Sequence, residues 1–242
     1  MATPTLDAQG FYASQYYFPG ERGKNEYSLH NADLYWASLI KTYHWTLPAV
    51  CAFFGAIMYE CDFNQRLVEG QKPRPIRGSR TSGTGLVQWT PPDNLLDFAS
   101  SIGSGWQYAS TQMDMLEAES HATSSSKPPR QWYPTIKQYR NAYLEYFDES
   151  TIYDTQDSFC RTASFDTGNT LLSLSAQVVL FYTRSGTWYD PDRWQRNADA
   201  AEFYYKRYSG QDPPDPGPLP PGPGPLPGDH RKMSILFYLK RR

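Results

Sequence analysis

From Trp45 to Tyr59 the chain carries no charged side chain, and the run WTLPAVCAFFGAIMY closes on one acid, Glu60. So apolar a stretch has to lie inside the fold, and its ends read as helix boundaries. Thr46 suits an N-cap, Pro48 is tolerated in the first turn, and the helix is predicted to continue to about Cys61. At about 100° per residue, Glu60 lies nearly in line with Phe53 and close to Ala56 and Ile57, so its carboxyl emerges from the apolar face. Desolvation there disfavours the charged form, and the partial negative charge of a helix C-terminus adds to the effect. A carboxyl still protonated near neutral pH is what a general acid needs. The plainer reading of Glu60 is a structural acid paired with Arg66, Arg77 or Arg80.

Other helices are predicted around this one. Asn31 is placed as the cap of a helix in ADLYWASLIKTY, and further helices fall at 94–102, 107–122, 134–147, 169–182 and 195–208. SSSKPPR (124–130) breaks two of them, and the polar, Gly-, Pro- and Arg-rich stretch from Asp62 to Gly85 reads as a long loop or small hairpin. The expected fold class is therefore mainly α with a small polar loop or β insertion. Residues 1–30 are aromatic and turn-rich and read as an arm packed on a domain spanning 31–210. At 211–229 a Pro- and Gly-rich linker follows, with nine prolines within 213–227. As polyproline II, that run would span about 45 Å. Residues 230–242 (HRKMSILFYLKRR) form a basic-apolar peptide, read either as a partner-binding segment or as a tail without fixed structure.

Composition removes several function classes. A net charge of −2 gives no reason to expect nucleic acid or an acidic membrane surface as a partner. No run approaches the ~20 apolar residues of a membrane span, and MATPTLDAQG lacks the basic start and apolar core of a signal peptide. The expectation is a chain folded inside a cell and carried outside, if it acts there, by other means. Cys51 and Cys61 are about 15 Å apart along one helix, too far for a disulfide, whose Cα atoms lie within ~7 Å. The three cysteines and four histidines show no ligand spacing, so no metal or other cofactor is expected. With 16% aromatic residues, the chain has rings to spare for a groove that binds sugars.

A second motif, GTGLVQWTPP (83–92), follows the polar insertion. Its glycines allow close backbone approach. Gln88 offers an amide that bonds in both directions, and Trp89 offers a stacking face. Alone, such a stretch is an ordinary buried turn.

Taken together, ECDFN (60–64) and GTGLVQW (83–89) resemble the "E-S-x-x-N-P … G-x-G-L-x-Q-W" pattern of phage tail lysozymes. A more distant likeness is to goose-type lysozymes and soluble lytic transglycosylases. WTLPAVCAFFG resembles the start of the family's acid-bearing helix, and Met113–Glu119 its "D-x-L-x-x-x-x-E" helix. FYTR (181–184), Arg196 and AAEFYY (200–205) resemble its closing helices, so the likeness extends over about 25–210. Cys61 stands where the family has Ser, and Gln65 where it has Pro.

The resemblance implies a lysozyme-like fold and cleavage of the β-1,4 bond between N-acetylmuramic acid and N-acetylglucosamine in bacterial peptidoglycan, with Glu60 as general acid. Asp62 and Glu69 are the candidates for a second carboxylate, with Asp93 further along. Gln88 and Thr84 would position the sugar or a water, while Trp89, Tyr59 and Tyr182 are candidate groove walls or plain packing. The expected setting is a virion tail, with 213–242 contacting other tail proteins. A lytic transglycosylase, an endolysin with the same fold, and a non-catalytic structural or wall-binding tail protein remain the alternatives.

Overall fold

A computed structural model describes residues 3–123, 126, 131–183 and 189–213. The tail beyond residue 213, with the basic-apolar peptide and nearly all of the Pro-rich linker, lies outside these residues. So do Arg184 and most of SSSKPPR. The described part is mainly helical, with α1 (Glu26–Lys41), α2 (Leu47–Cys61), α3 (Asp93–Ser101), α4 (Ala109–Ser120), α5 (Lys137–Leu144), α6 (Gln156–Thr162), α7 (Leu171–Gln177) and α8 (Pro191–Tyr208). Strands β1 (Thr5–Leu6) and β2 (Tyr12–Ala13) form a short antiparallel hairpin in the arm. Among the described residues no helix is long and apolar enough to cross a membrane.

The apolar run is α2, and it occupies the centre. The Thr46 hydroxyl accepts from the Ala49 N–H, and every side chain from Ala49 to Met58 is buried. Helix α8 packs along it, α7 and α1 flank it, and α6 lies across its start. Gly55 explains how closely α8 approaches, because a Cβ there would sit 2.2 Å from the Asn197 carbonyl oxygen. Rings fill the remaining space. Phe54 meets Phe63 and Tyr204 edge-on with centroids 5.0 and 5.4 Å away, and Trp36 stacks on Tyr208 at 4.2 Å. Asp33 of α1 clasps α8, accepting two bonds from Arg207 (3.0 and 2.8 Å) and one from the Tyr208 hydroxyl (2.8 Å). Cys51, Cys61 and Cys160 are free, buried thiols.

Three expectations need correction. Helix α1 begins at Glu26, with the Asn25 side chain accepting from the Ser28 N–H at 2.9 Å. Asn31 caps nothing. It is fully buried, and its amide joins the N–H and carbonyl of Tyr12 to the Phe63 carbonyl. The helix expected across 169–182 is α-helical only from Leu171 to Gln177, then widens into a π-helical turn over Val178–Thr183. Helix α6 was not anticipated. It is one short amphipathic piece, yet Thr155 as its cap, Asp157 in its first turn and Arg161 in its last are ordinary boundary signals.

Candidate active site

Helix α2 ends because Asp62 and Phe63 both take left-handed backbone conformations (φ of 58° at each). Such conformations cost non-glycine residues on the order of 1 kcal/mol or more, so the surroundings must enforce them. Phe63 is held by complete burial. The Asp62 carboxylate accepts from the Gly23 N–H (2.6 Å), the Ser28 hydroxyl (2.7 Å) and the Asn25 amide (3.3 Å). The reversal leaves Glu60 at the last turn of α2, facing a cleft of about 730 Å³.

The far wall of the cleft is the base of the polar insertion. Glu69 N–H donates to the Gly83 carbonyl (2.7 Å), and Gly83 N–H returns a bond to the Glu69 carboxylate (2.9 Å), pinching the loop shut. Val68, Thr84 and Trp89 pair through isolated antiparallel bridges, so the insertion has the small β character the sequence suggested. Gly85 is required twice over. It has φ of +78°, and a Cβ there would lie 2.5 Å from the Gln112 side-chain oxygen, which accepts the Leu86 N–H. The glycines of GTG thus admit protein side chains, Gln88 beside Gly83 and Gln112 beside Gly85.

Of the sequence candidates, Glu60, Glu69, Gln88, Trp89, Tyr59 and Tyr182 line this one cleft. Asp62 and Thr84 do not. Asp62 turns under the N-terminal arm, and Thr84 is fully buried with its hydroxyl donating to the Ser82 carbonyl. Gln88 lines the cleft, but its amide nitrogen donates to the carbonyls of Leu67 and Gly85, so it also braces the turn. Asp93 sits at the start of α3, bonded to Arg77 and the Gly78 N–H.

Glu60 is paired with Arg193 of α8 at 2.7 Å, and not with Arg66, Arg77 or Arg80. Even so, burial pushes its carboxyl above the ordinary carboxylate range. Arg193 pulls in the opposite direction, and the charge of Glu69 adds to the rise. The arrangement therefore offers a proton donor in a desolvated position, with a second, more exposed carboxylate across the same cleft.

Tyr17 of the arm escaped the sequence reading, and Arg80 of the insertion, considered there only as a partner for Glu60, lines the cleft as well. Glu119 of α4 is fully buried beneath the wall, where its carboxylate accepts from the Trp89 indole N–H (3.0 Å) and from the Tyr182 hydroxyl. Tyr182 falls in the π-helical turn and also lines the cleft. The sequence marked Glu119 only as the end of the Met113–Glu119 motif; the Trp and Tyr it bonds are 30 and 63 residues away along the chain and reach it through folding.

Comparison with known families decides what this architecture is. Residues 30–163, more than half the chain, match the phage tail lysozymes. The chain belongs to that family. Membership brings lysozyme-type, peptidoglycan-degrading activity and a phage-associated setting. No curated protein matches the chain. The matched region contains Glu60, Glu69 and the GTGLVQW wall and ends before α7 and α8, whereas the motif resemblance had been read through to residue 210.

Proposed function

We propose that the chain hydrolyses the β-1,4 bond between N-acetylmuramic acid and N-acetylglucosamine, with Glu60 as the general acid. The observation that carries this reading is a carboxyl desolvated at the end of the central helix, raised above its ordinary range, and open to a cleft of about 730 Å³. Glu60 protonates the glycosidic oxygen as positive charge builds on the sugar. General acid catalysis of this kind contributes about 10²–10⁴ in rate. Glu69 acts as the second carboxylate, stabilising the charged ring or drawing a proton from water. Asp62 is assigned no chemistry, since its oxygens hold the arm. Gln88, Trp89 and Tyr59 form the walls that orient the sugars, and peptidoglycan is the only partner the reaction needs.

We place the protein in the virion tail, acting on the host wall as the genome passes in, with 213–242 as its attachment to other tail proteins. The Pro-rich spacer and the basic-apolar end support that attachment through composition alone. Truncation after Gly210 should leave hydrolysis intact and abolish incorporation into particles; truncated protein found in virions would sink the attachment.

Mass spectrometry of purified peptidoglycan digested by wild type and by Glu60→Gln tests the chemistry. Reducing muramic acid ends that vanish in the variant are the expected result. Anhydro ends would move the enzyme to the transglycosylases, and no released glycans would leave a binding or structural protein.

A further inference from the structure

The N-terminal arm is tied down far more firmly than a covering segment requires. Its backbone is gripped on both sides of Tyr17. Upstream, the Asn64 amide donates to the carbonyls of Ser14 and Tyr16, both at 2.8 Å, and accepts the Ser14 N–H at 3.3 Å. Downstream, the Gly23 N–H donates to buried Asp62 at 2.6 Å, and the Gly23 carbonyl accepts from the Tyr204 hydroxyl at 2.5 Å. Gln15 bridges outward to the Gln71 carbonyl (3.2 Å), joining the arm to the insertion on the other side of the cleft.

Between these anchors Tyr17 is half-buried and shares the cleft with Glu60 and Glu69. Its ring is held by the Arg22 guanidinium 4.0 Å from the centroid, and Arg22 also donates to the Tyr59 carbonyl at 3.3 Å, at the end of the acid-bearing helix. Burial raises the phenol above its ordinary range, Arg22 opposes the rise, and the nearby Glu60 adds a smaller push upward.

We propose that the arm completes the substrate cleft and that Tyr17 is a sugar-binding residue next to Glu60, contacting an N-acetylhexosamine unit of the glycan strand. A fixed aromatic ring presents an apolar surface to the C–H face of a pyranose and a hydroxyl to its polar rim, and a pre-positioned ring binds without a large ordering cost. Tyr17 lies outside the matched residues 30–163. The inference rests on the assignment of the cleft as the glycosidase site.

The test uses the full chain and a linear tetrasaccharide of alternating N-acetylglucosamine and N-acetylmuramic acid. In the Glu60→Gln background, Tyr17→Ala should weaken tetrasaccharide binding about tenfold by calorimetry, a change of ~1.4 kcal/mol. In the active protein it should raise KM by a similar factor with a smaller change in kcat, while Tyr17→Phe recovers most of the affinity. Tyr17→Leu keeps the bulk that packs on the core and removes the ring, so it serves if the alanine variant fails to fold. Unchanged affinity and KM in Tyr17→Leu would reduce the arm to a structural brace and overturn the inference. Wild-type hydrolysis by Glu60→Gln would instead bring down the cleft assignment itself, whatever Tyr17 does.

Discussion

The two ends of the core each carry a glutamate paired with an arginine, and the pairs differ in one instructive respect. Near the start of α2, Glu117 accepts from the Trp45 indole N–H (3.0 Å), lies 3.0 Å from the His121 ring nitrogen, and is bonded by Arg161. At the far end, Glu60 has one partner among the described residues, Arg193. Their exposure is nearly equal, with side chains 20% and 19% accessible. Burial alone therefore does not separate the two acids; the number of donors does, and the proposed chemistry falls on the one with fewer. For a given burial each further donor favours the anion, and Glu60, with Arg193 alone among the described residues, is held above the ordinary carboxylate range.

The largest effect should come from removing the acid that has a single donor. Glu60→Gln is expected to lower hydrolysis of peptidoglycan by ~10²–10⁴, measured as turbidity loss of purified walls. The folded-state pKa of Glu60 lies above its unfolded value. Its contribution to stability is therefore present below the unfolded pKa and lost as pH rises through the folded one. Above the unfolded pKa the buried carboxyl costs the fold free energy that a glutamine does not, so the variant should melt at the same temperature or higher. A variant that melts much lower would mean the ion pair with Arg193, and not proton donation, is what Glu60 is for.

Asp62, two residues on, should behave in the opposite way. Asp62→Ala strips a buried acceptor from Gly23, Ser28 and Asn25 at once and should cost about 3 kcal/mol in urea unfolding. Residual activity in the folded fraction should survive the substitution. Loss of turnover at full stability would return Asp62 to the list of second carboxylates and weaken Glu69.

How far these roles could be read in advance depended on whether local or distant residues set them. The Thr46 cap, the Pro48 start, the apolar run and the position of Glu60 follow from a 3.6-residue period, and they were legible. The direction of Asp62 was not. The helix does stop at Cys61, which frees Asp62 from the helix line, but the groups it then meets come from residues 23–28, and nothing in ECDFN names them. Thr84 was misjudged for a related reason. GTG looks like a loop opened for a ligand, and the ligand it admits is the protein's own Gln112. Tyr17, Glu119 and Arg193 complete the site from the arm, α4 and α8, and only tertiary packing brings them to α2.

A smaller loss should come from the well-satisfied acid. Glu117→Ala leaves the Trp45 indole N–H without its acceptor and takes one partner from each of Arg161 and His121 at a partly open site, and about 2 kcal/mol is expected from the unfolding midpoint. Activity per folded molecule should be unchanged, which is the contrast with Glu60 in its sharpest form.

The subtlest prediction concerns the one donor that Glu60 has. Arg193 holds the Glu60 pKa below where burial alone would put it. Arg193→Gln removes the charge and leaves a side chain that can still donate a hydrogen bond. The Glu60 carboxyl should then hold its proton to higher pH, and because a general acid works only while protonated, the basic limb of the activity–pH profile should move upward. At a pH on that limb the variant would be more active than wild type, an outcome a merely structural ion pair does not produce. An unmoved limb, with activity otherwise intact, would show that the titrating acid is another group, with Glu69 across the cleft the first to examine.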